Sequence, residues 1–189
     1  VVNHFGHFMA EMVHRIIFYK NLGMDLKYIM VTSEGPNGIS NFDKLPGFTK
    51  EILNFLEIDE SRIVILDRNT LVETLQVCEA GSDLSGGVKD GYLKFLREYS
   101  TKKLEKLHGS TTRPAKIYVS RSGLPPEGSI LGEDYFERHL ADEGFTIFRP
   151  EEMRFTPQTD YYQKSEVAIF TDGSACHGAE LLGDGMLNQ

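Results

Sequence analysis

The sequence predicts an α/β fold with parallel sheets, arranged as two halves. Three observations lead there. Beyond residue 114, apolar strand-like runs alternate with helical stretches in a βαβαβ order, which requires parallel strands joined by right-handed crossovers. The first hundred residues also mix helical and strand-like runs. A turn-rich segment, His108 to Pro114, separates the two stretches and marks a domain boundary.

Taken in order, Phe5, Met9, Met12, Val13, Ile16 and Ile17 recur at helical spacing, so residues 5–21 form an amphipathic helix stopped by Gly23. Residues 27–32 read as a short strand, followed by the turn-forming loop 33–38. Phe48, Ile52, Phe55 and Leu56 define a second helix, and 62–66 and 71–77 read as strands. Residues 88–107 make a long helix with Tyr92, Leu93, Phe95, Leu96, Tyr99 and Leu104 on its inner side. In the second half the strands are 115–120, 145–148 and 166–171, with helices at 133–143 and 157–165. Val1 reads as the tail of a strand, and the helix opening near His177 has barely begun by Gln189. The chain is therefore expected to be incomplete at both ends.

Composition narrows the function. With 189 residues, 40% hydrophobic and 25% charged, the chain can bury a core. A net charge of -8 argues against nucleic-acid binding and against basic membrane patches. No apolar run reaches the ~20 residues of a membrane span. Cys78 and Cys176 lie far apart and form no metal-type pair, and there is no Asn-x-Ser/Thr sequon, so the expected location is the cytoplasm.

Chemistry concentrates where strands end. Ligands of an open parallel sheet bind outside the strand carboxyl ends, and Arg121, Arg149 and Asp172-Gly173-Ser174 each follow a strand directly. They are expected to meet on one edge with the loop 121–128. The run Ile169-Phe170-Thr171-Asp172-Gly173-Ser174-Ala175-Cys176-His177-Gly178 passes from strand to helix through small residues. It offers backbone N–H groups beside the positive end of a helix dipole, a setting that holds phosphate. His177 adds a donor or a cation, and the Arg121 guanidinium pairs phosphate oxygens bidentately. In the first helix, His4, His7, Glu11 and His14 are spaced three, four and three apart, as a base, a hydrogen-bonding stripe or a solvated polar face would be. The Tyr99/Lys103 pair lacks a glycine-rich turn before it, and Ser174 lacks the Gly-x-Ser-x-Gly elbow. Neither is assigned a role.

These residues, in this order, resemble glycosyltransferase family 61, whose bacterial members include capsular polysaccharide biosynthesis proteins. The likeness rests on Asn3-His4-Phe5-Gly6-His7-Phe8-Met9-Ala10-Glu11, on Ile117-Tyr118-Val119-Ser120-Arg121, on Glu143-Gly144-Phe145 with Pro150 to Gln158, and on Gly173-Ser174-Ala175-Cys176-His177. It implies two Rossmann-like halves of the GT-B type: 1–110 as a truncated acceptor-side domain and 111–189 as a truncated nucleotide-sugar domain. It further implies an inverting hexosyl- or pentosyltransferase that needs no metal and no cofactor beyond its nucleotide-sugar donor, with a glycan or other hydroxyl acceptor. Donor-binding residues would be Ser120, Arg121, Gln158, Gly173, Ser174, Ala175 and His177, facing His7 as catalytic base and Glu11 as its partner or substitute. Two other readings stay open: a non-catalytic nucleotide- or carbohydrate-binding remnant, and a metal-dependent hydrolase using His4, His7, Glu11 and His14.

Overall fold

A computed structural model of the chain describes residues 3–24, 26–31, 38–83, 87–108, 112–124 and 128–186. The strand tail at Val1, the body of the 33–38 loop, and parts of the 108–114 linker and the 121–128 loop lie outside the described residues. The chain is mixed α/β with parallel sheets, in two compact units, 1–86 and 87–189. Helix α3 (Tyr92–His108), which precedes the 108–114 linker, belongs to the second unit.

In the first unit, helix α1 runs through three consecutive segments. Phe5–His7 is α-helical, Phe8–Val13 is π-helical, and His14–Asn21 is α-helical again. The His4 ring caps the start by accepting from the His7 N–H at 3.4 Å. Phe8, Met9, Val13, Ile16 and Ile17 are buried, as the apolar spacing predicts, with Ile52, Leu53 and Phe55 of α2 (Gly47–Phe55) in the core. Strands β1 (Tyr28–Val31) and β2 (Ile63–Leu66) pair in parallel, Tyr28 opposite Ile63 and Val31 opposite Leu66. The Lys20 ammonium donates to the carbonyls of Leu56 (2.5 Å) and Glu57 (3.1 Å), tying the end of α1 to the end of α2, where a cation suits the helix dipole.

The strand expected at 71–77 does not form: those residues carry no ladder hydrogen bonds, and Leu71, Leu75 and Val77 are exposed. The run is apolar, but a strand gains stability only from a neighbouring edge or a buried face, and it has neither among the described residues.

The second unit holds the expected βαβαβ. Strand β3 (Lys116–Val119) lies between β4 (Thr146–Phe148) and β5 (Val167–Phe170), parallel to both. Helix α4 (Glu133–Asp142) connects β3 to β4, and α5 (Phe155–Lys164) connects β4 to β5. Helix α4 ends on Gly144 at φ 82, with the Phe145 N–H donating to Leu140 O (2.9 Å) and the Gly144 N–H to Ala141 O (3.0 Å). This left-handed cap turns the chain directly into β4. Helix α5 opens two residues before the predicted start. Pro157 sits in its first turn, where a missing N–H breaks no intrahelical bond. After β5, the helix expected near His177 is short: α6 (Cys176–Ala179) passes into a 3₁₀ turn, Glu180–Met186, packed on α3. Gly183, at φ 58, makes that packing possible, since a side chain there would strike the backbone of Leu93.

Candidate functional site

The parallel register of β3, β4 and β5 fixes which residues share the carboxyl edge. Val119 lies opposite Phe148 and Phe170, so Ser120 and Arg121, Arg149, and Thr171 to Ser174 leave the sheet together. The Thr171 N–H and hydroxyl both donate to Val119 O, at 3.2 and 2.6 Å, holding the first step out of β5 against β3.

Arg121 and Gly173 meet at this edge. The Arg121 guanidinium donates through Nη1 to the carbonyl of Asp172 and lies where a side chain on Gly173 would stand. The turn beyond closes on itself: the His177 N–H donates to Ser174 O (3.2 Å) and the Gly178 N–H to Ala175 O (3.0 Å). The imidazole of His177 meets Glu180 at 3.0 Å, and the Cys176 thiol donates to Gly173 O at 2.9 Å. Burial, with help from Glu180, pushes the Cys176 thiol up, so it stays protonated. Among the described residues, Cys176, His177 and Glu180 are the set whose ligand atoms lie within 4.8 Å of one another.

Other predicted site residues face inward. Ser120 is fully buried, and its hydroxyl donates to Glu137 Oε1 at 2.6 Å. Arg149 is engaged at the same carboxylate, with Nη2 at 2.9 and 2.8 Å from its two oxygens and Nε donating to Ser122 Oγ. Gln158 donates its amide to Pro150 O (2.7 Å) and Met153 O (3.0 Å), bracing the turn between β4 and α5. Of the residues named from sequence, the structure thus gathers Arg121, Gly173, Ser174, Ala175 and His177 at the open edge. Ser120 and Gln158 lie beneath it.

Two glutamates hold this edge, and sequence reasoning missed both. Glu133, 2% exposed, accepts through Oε1 from the Arg121 N–H (2.8 Å), the Tyr118 hydroxyl (3.2 Å) and the Thr171 hydroxyl (3.2 Å). Glu137, one turn on, collects Ser120, Ser122 and Arg149. Their signal is the four-residue spacing, which puts both on one helix face. An acidic residue in a first helical turn, as Glu133 is, usually means only a favourable dipole contact, and Glu137 one turn on reads as a solvated position.

In the first unit, His7 and Glu11 do meet. His7 Nδ1 lies 2.6 Å from Glu11 Oε1, and both side chains are half-exposed. His14 is buried, whereas His4 and His7 are exposed. The π-helical segment changes the number of residues per turn, so the sequence spacing does not produce a single four-residue stripe.

Fold and site together define an α/β protein with a cationic, glycine-lined turn at a parallel-sheet edge. The sequence profile of the family described as Glycosyltransferase 61 matches residues 5–184, and the chain belongs to that family of glycosyltransferases. No curated protein and no solved structure matches the chain.

Proposed function

We propose that the chain transfers a hexosyl or pentosyl group from a nucleotide sugar to a hydroxyl of a glycan acceptor, with inversion and without a metal ion, in the assembly of a polysaccharide such as a capsule in the cytoplasm. In this reading the two units are the lobes of a GT-B-type enzyme, the first serving the acceptor and the second the donor. The observation that carries it is the Arg121 guanidinium lying across the Gly173 turn at the open sheet edge.

The donor diphosphate would replace Asp172 O as the partner of Arg121. Backbone N–H groups of the Gly173–Ala175 turn and the His177 ring would add donors. Together these neutralise charge developing on the leaving diphosphate, a task a metal ion performs in other enzymes. The acceptor oxygen attacks the anomeric carbon from the face opposite the diphosphate. The new C–O bond forms as the bond to the diphosphate oxygen breaks, and the diphosphate leaves with that electron pair. The hydroxyl proton passes to Nε2 of the neutral His7 ring, in the tautomer that donates Nδ1–H to Glu11 and keeps the Nε2 lone pair available.

The test is a thermal-shift titration with nucleoside diphosphates, followed by Arg121→Ala. Stabilisation of the parent that is lost in the variant supports the reading. Equal stabilisation of both overturns the donor assignment. Product from a competent donor should have inverted anomeric configuration and should form equally well with a chelator present.

A further inference from the structure

The first unit contains a cavity of 460 Å³ between α1, β1 and residues 74–78. That is a size suited to a small ligand or part of a larger one. Its walls are largely apolar, from Met12 and Ile16 of α1, Leu26 and Ile29 around β1, and Leu75 and Val77 of the irregular segment. Leu75 and Val77 are 63% and 72% exposed, so this apolar surface faces solvent. A cavity built for sugar hydroxyls alone would present more polar groups.

Two cations share the same wall. Arg15 and Lys27 line the cavity and are exposed, and neither forms a hydrogen bond or ion pair with another described residue. Lys20, Arg62, Arg97, Arg113 and Arg149, by contrast, hold polar partners. The titratable groups opposite them are Glu11, already engaged by His7, the Tyr19 and Tyr28 hydroxyls, and the Cys78 thiol. Tyr19 and Tyr28 are both pushed up by burial and stay protonated as donors. The wall therefore carries two cations against one carboxylate.

We propose that this cavity is an acceptor subsite for an apolar group bearing a negative charge, so that the acceptor is a saccharide joined through a phosphate or carboxylate to a hydrocarbon or aromatic anchor. The inference rests on the transferase reading above and deepens it. Apolar walls take the anchor, and Arg15 and Lys27 take the charge at its junction with the saccharide. Glu11 belongs both to this wall and to the His7 pair, so a saccharide leaving the cavity on that side passes the imidazole.

Calorimetric titration of the 189-residue chain with octyl phosphate, octyl glucoside and inorganic phosphate, each below its micellar concentration where it has one, tests this. Saturable binding of octyl phosphate at one per chain is expected, tighter than either control. The double variant Arg15→Gln, Lys27→Gln should weaken it by about tenfold, and Leu75→Asn by about fivefold, at unchanged melting temperature, since all three side chains are exposed. A carboxylate amphiphile, octanoate, distinguishes the two anionic junctions. If octyl glucoside binds as tightly as octyl phosphate, or the double variant binds like the parent, charge recognition is wrong. If octyl phosphate shows no saturable binding while a nucleoside diphosphate still stabilises the chain, the subsite falls and the transferase reading stands. If neither binds, both fall.

Discussion

Arg121 occupies the space above Gly173, so the guanidinium and the absent side chain are complementary. Gly173 also has φ 149, a backbone conformation that L-residues rarely adopt. A methyl group at 173 would displace the arginine as well as strain the turn. Gly173→Ala should lower stability by about 1–3 kcal/mol and weaken nucleoside diphosphate binding by about tenfold. Denaturant unfolding and calorimetry separate the two effects. Binding equal to the parent's would show that the position of Arg121 does not matter to the donor.

Glu133 is the second point of control. Removing its carboxylate in Glu133→Ala leaves the buried Tyr118 hydroxyl and the Arg121 N–H without their acceptor. Each such loss costs about 1–3 kcal/mol. The variant should therefore unfold at clearly lower denaturant concentration and lose donor binding with it. The exposed i,i+4 pair Asp134 and Arg138 on the same helix gives the contrast: Asp134→Ala should change stability by less than about 1 kcal/mol.

Acid stability should depend on Glu137. Burial pushes its carboxyl up, but hydrogen bonds from Ser120 and Ser122 and the charge of Arg149 outweigh that and hold it below the usual value. A lowered folded-state pKa means the contribution is present above the unfolded value of about 4.3 and lost as pH falls through the folded value. The stability gap between the parent and Glu137→Gln should thus be full at pH 6 and shrink toward pH 3 in urea titrations. Tyr118 acts at the other end. Burial, then the nearby Glu133 carboxylate, raise it from 10.0 to about 12. Its contribution is present below 10 and lost as pH climbs through 12. Tyr118→Phe should flatten the alkaline limb of the stability curve.

On the acceptor side, His7→Ala should reduce turnover by about 10²–10⁴-fold, the usual worth of a positioned base. Donor binding should be unchanged. Glu11→Ala should cost less if it only orients the ring. Near-parental turnover in both variants would place the base elsewhere.

Much of this architecture was readable in advance where the signal is local. The βαβαβ order, the register-driven convergence of Arg121 with Gly173, and the His7/Glu11 pair all follow from strand ends and helical spacing. What escaped depends on tertiary partners. Leu71 to Val77 has strand composition, but no neighbouring edge accepts it among the described residues. Ser120 and Gln158 have types that suit a ligand site, yet their donors serve Glu137 and the 150–153 turn. Arg149 leaves its strand as expected and is then captured by Glu137, an acidic residue whose burial no local pattern announces.

The π-helical segment Phe8–Val13 makes the first helix sensitive to residue count as well as to residue identity. Such a segment fits an extra residue into a turn, and one residue of an α-helix corresponds to about 100° of rotation. Winding the same residues as regular α-helix would swing His4 and His7 around the axis relative to the buried Ile16 and Ile17, whereas deleting one residue within the segment would remove the extra residue and keep the flanking side chains on their faces. Through this stretch, two sequences that differ by one position in length can aim the flanking side chains in the same directions, the difference being taken up within the π turn.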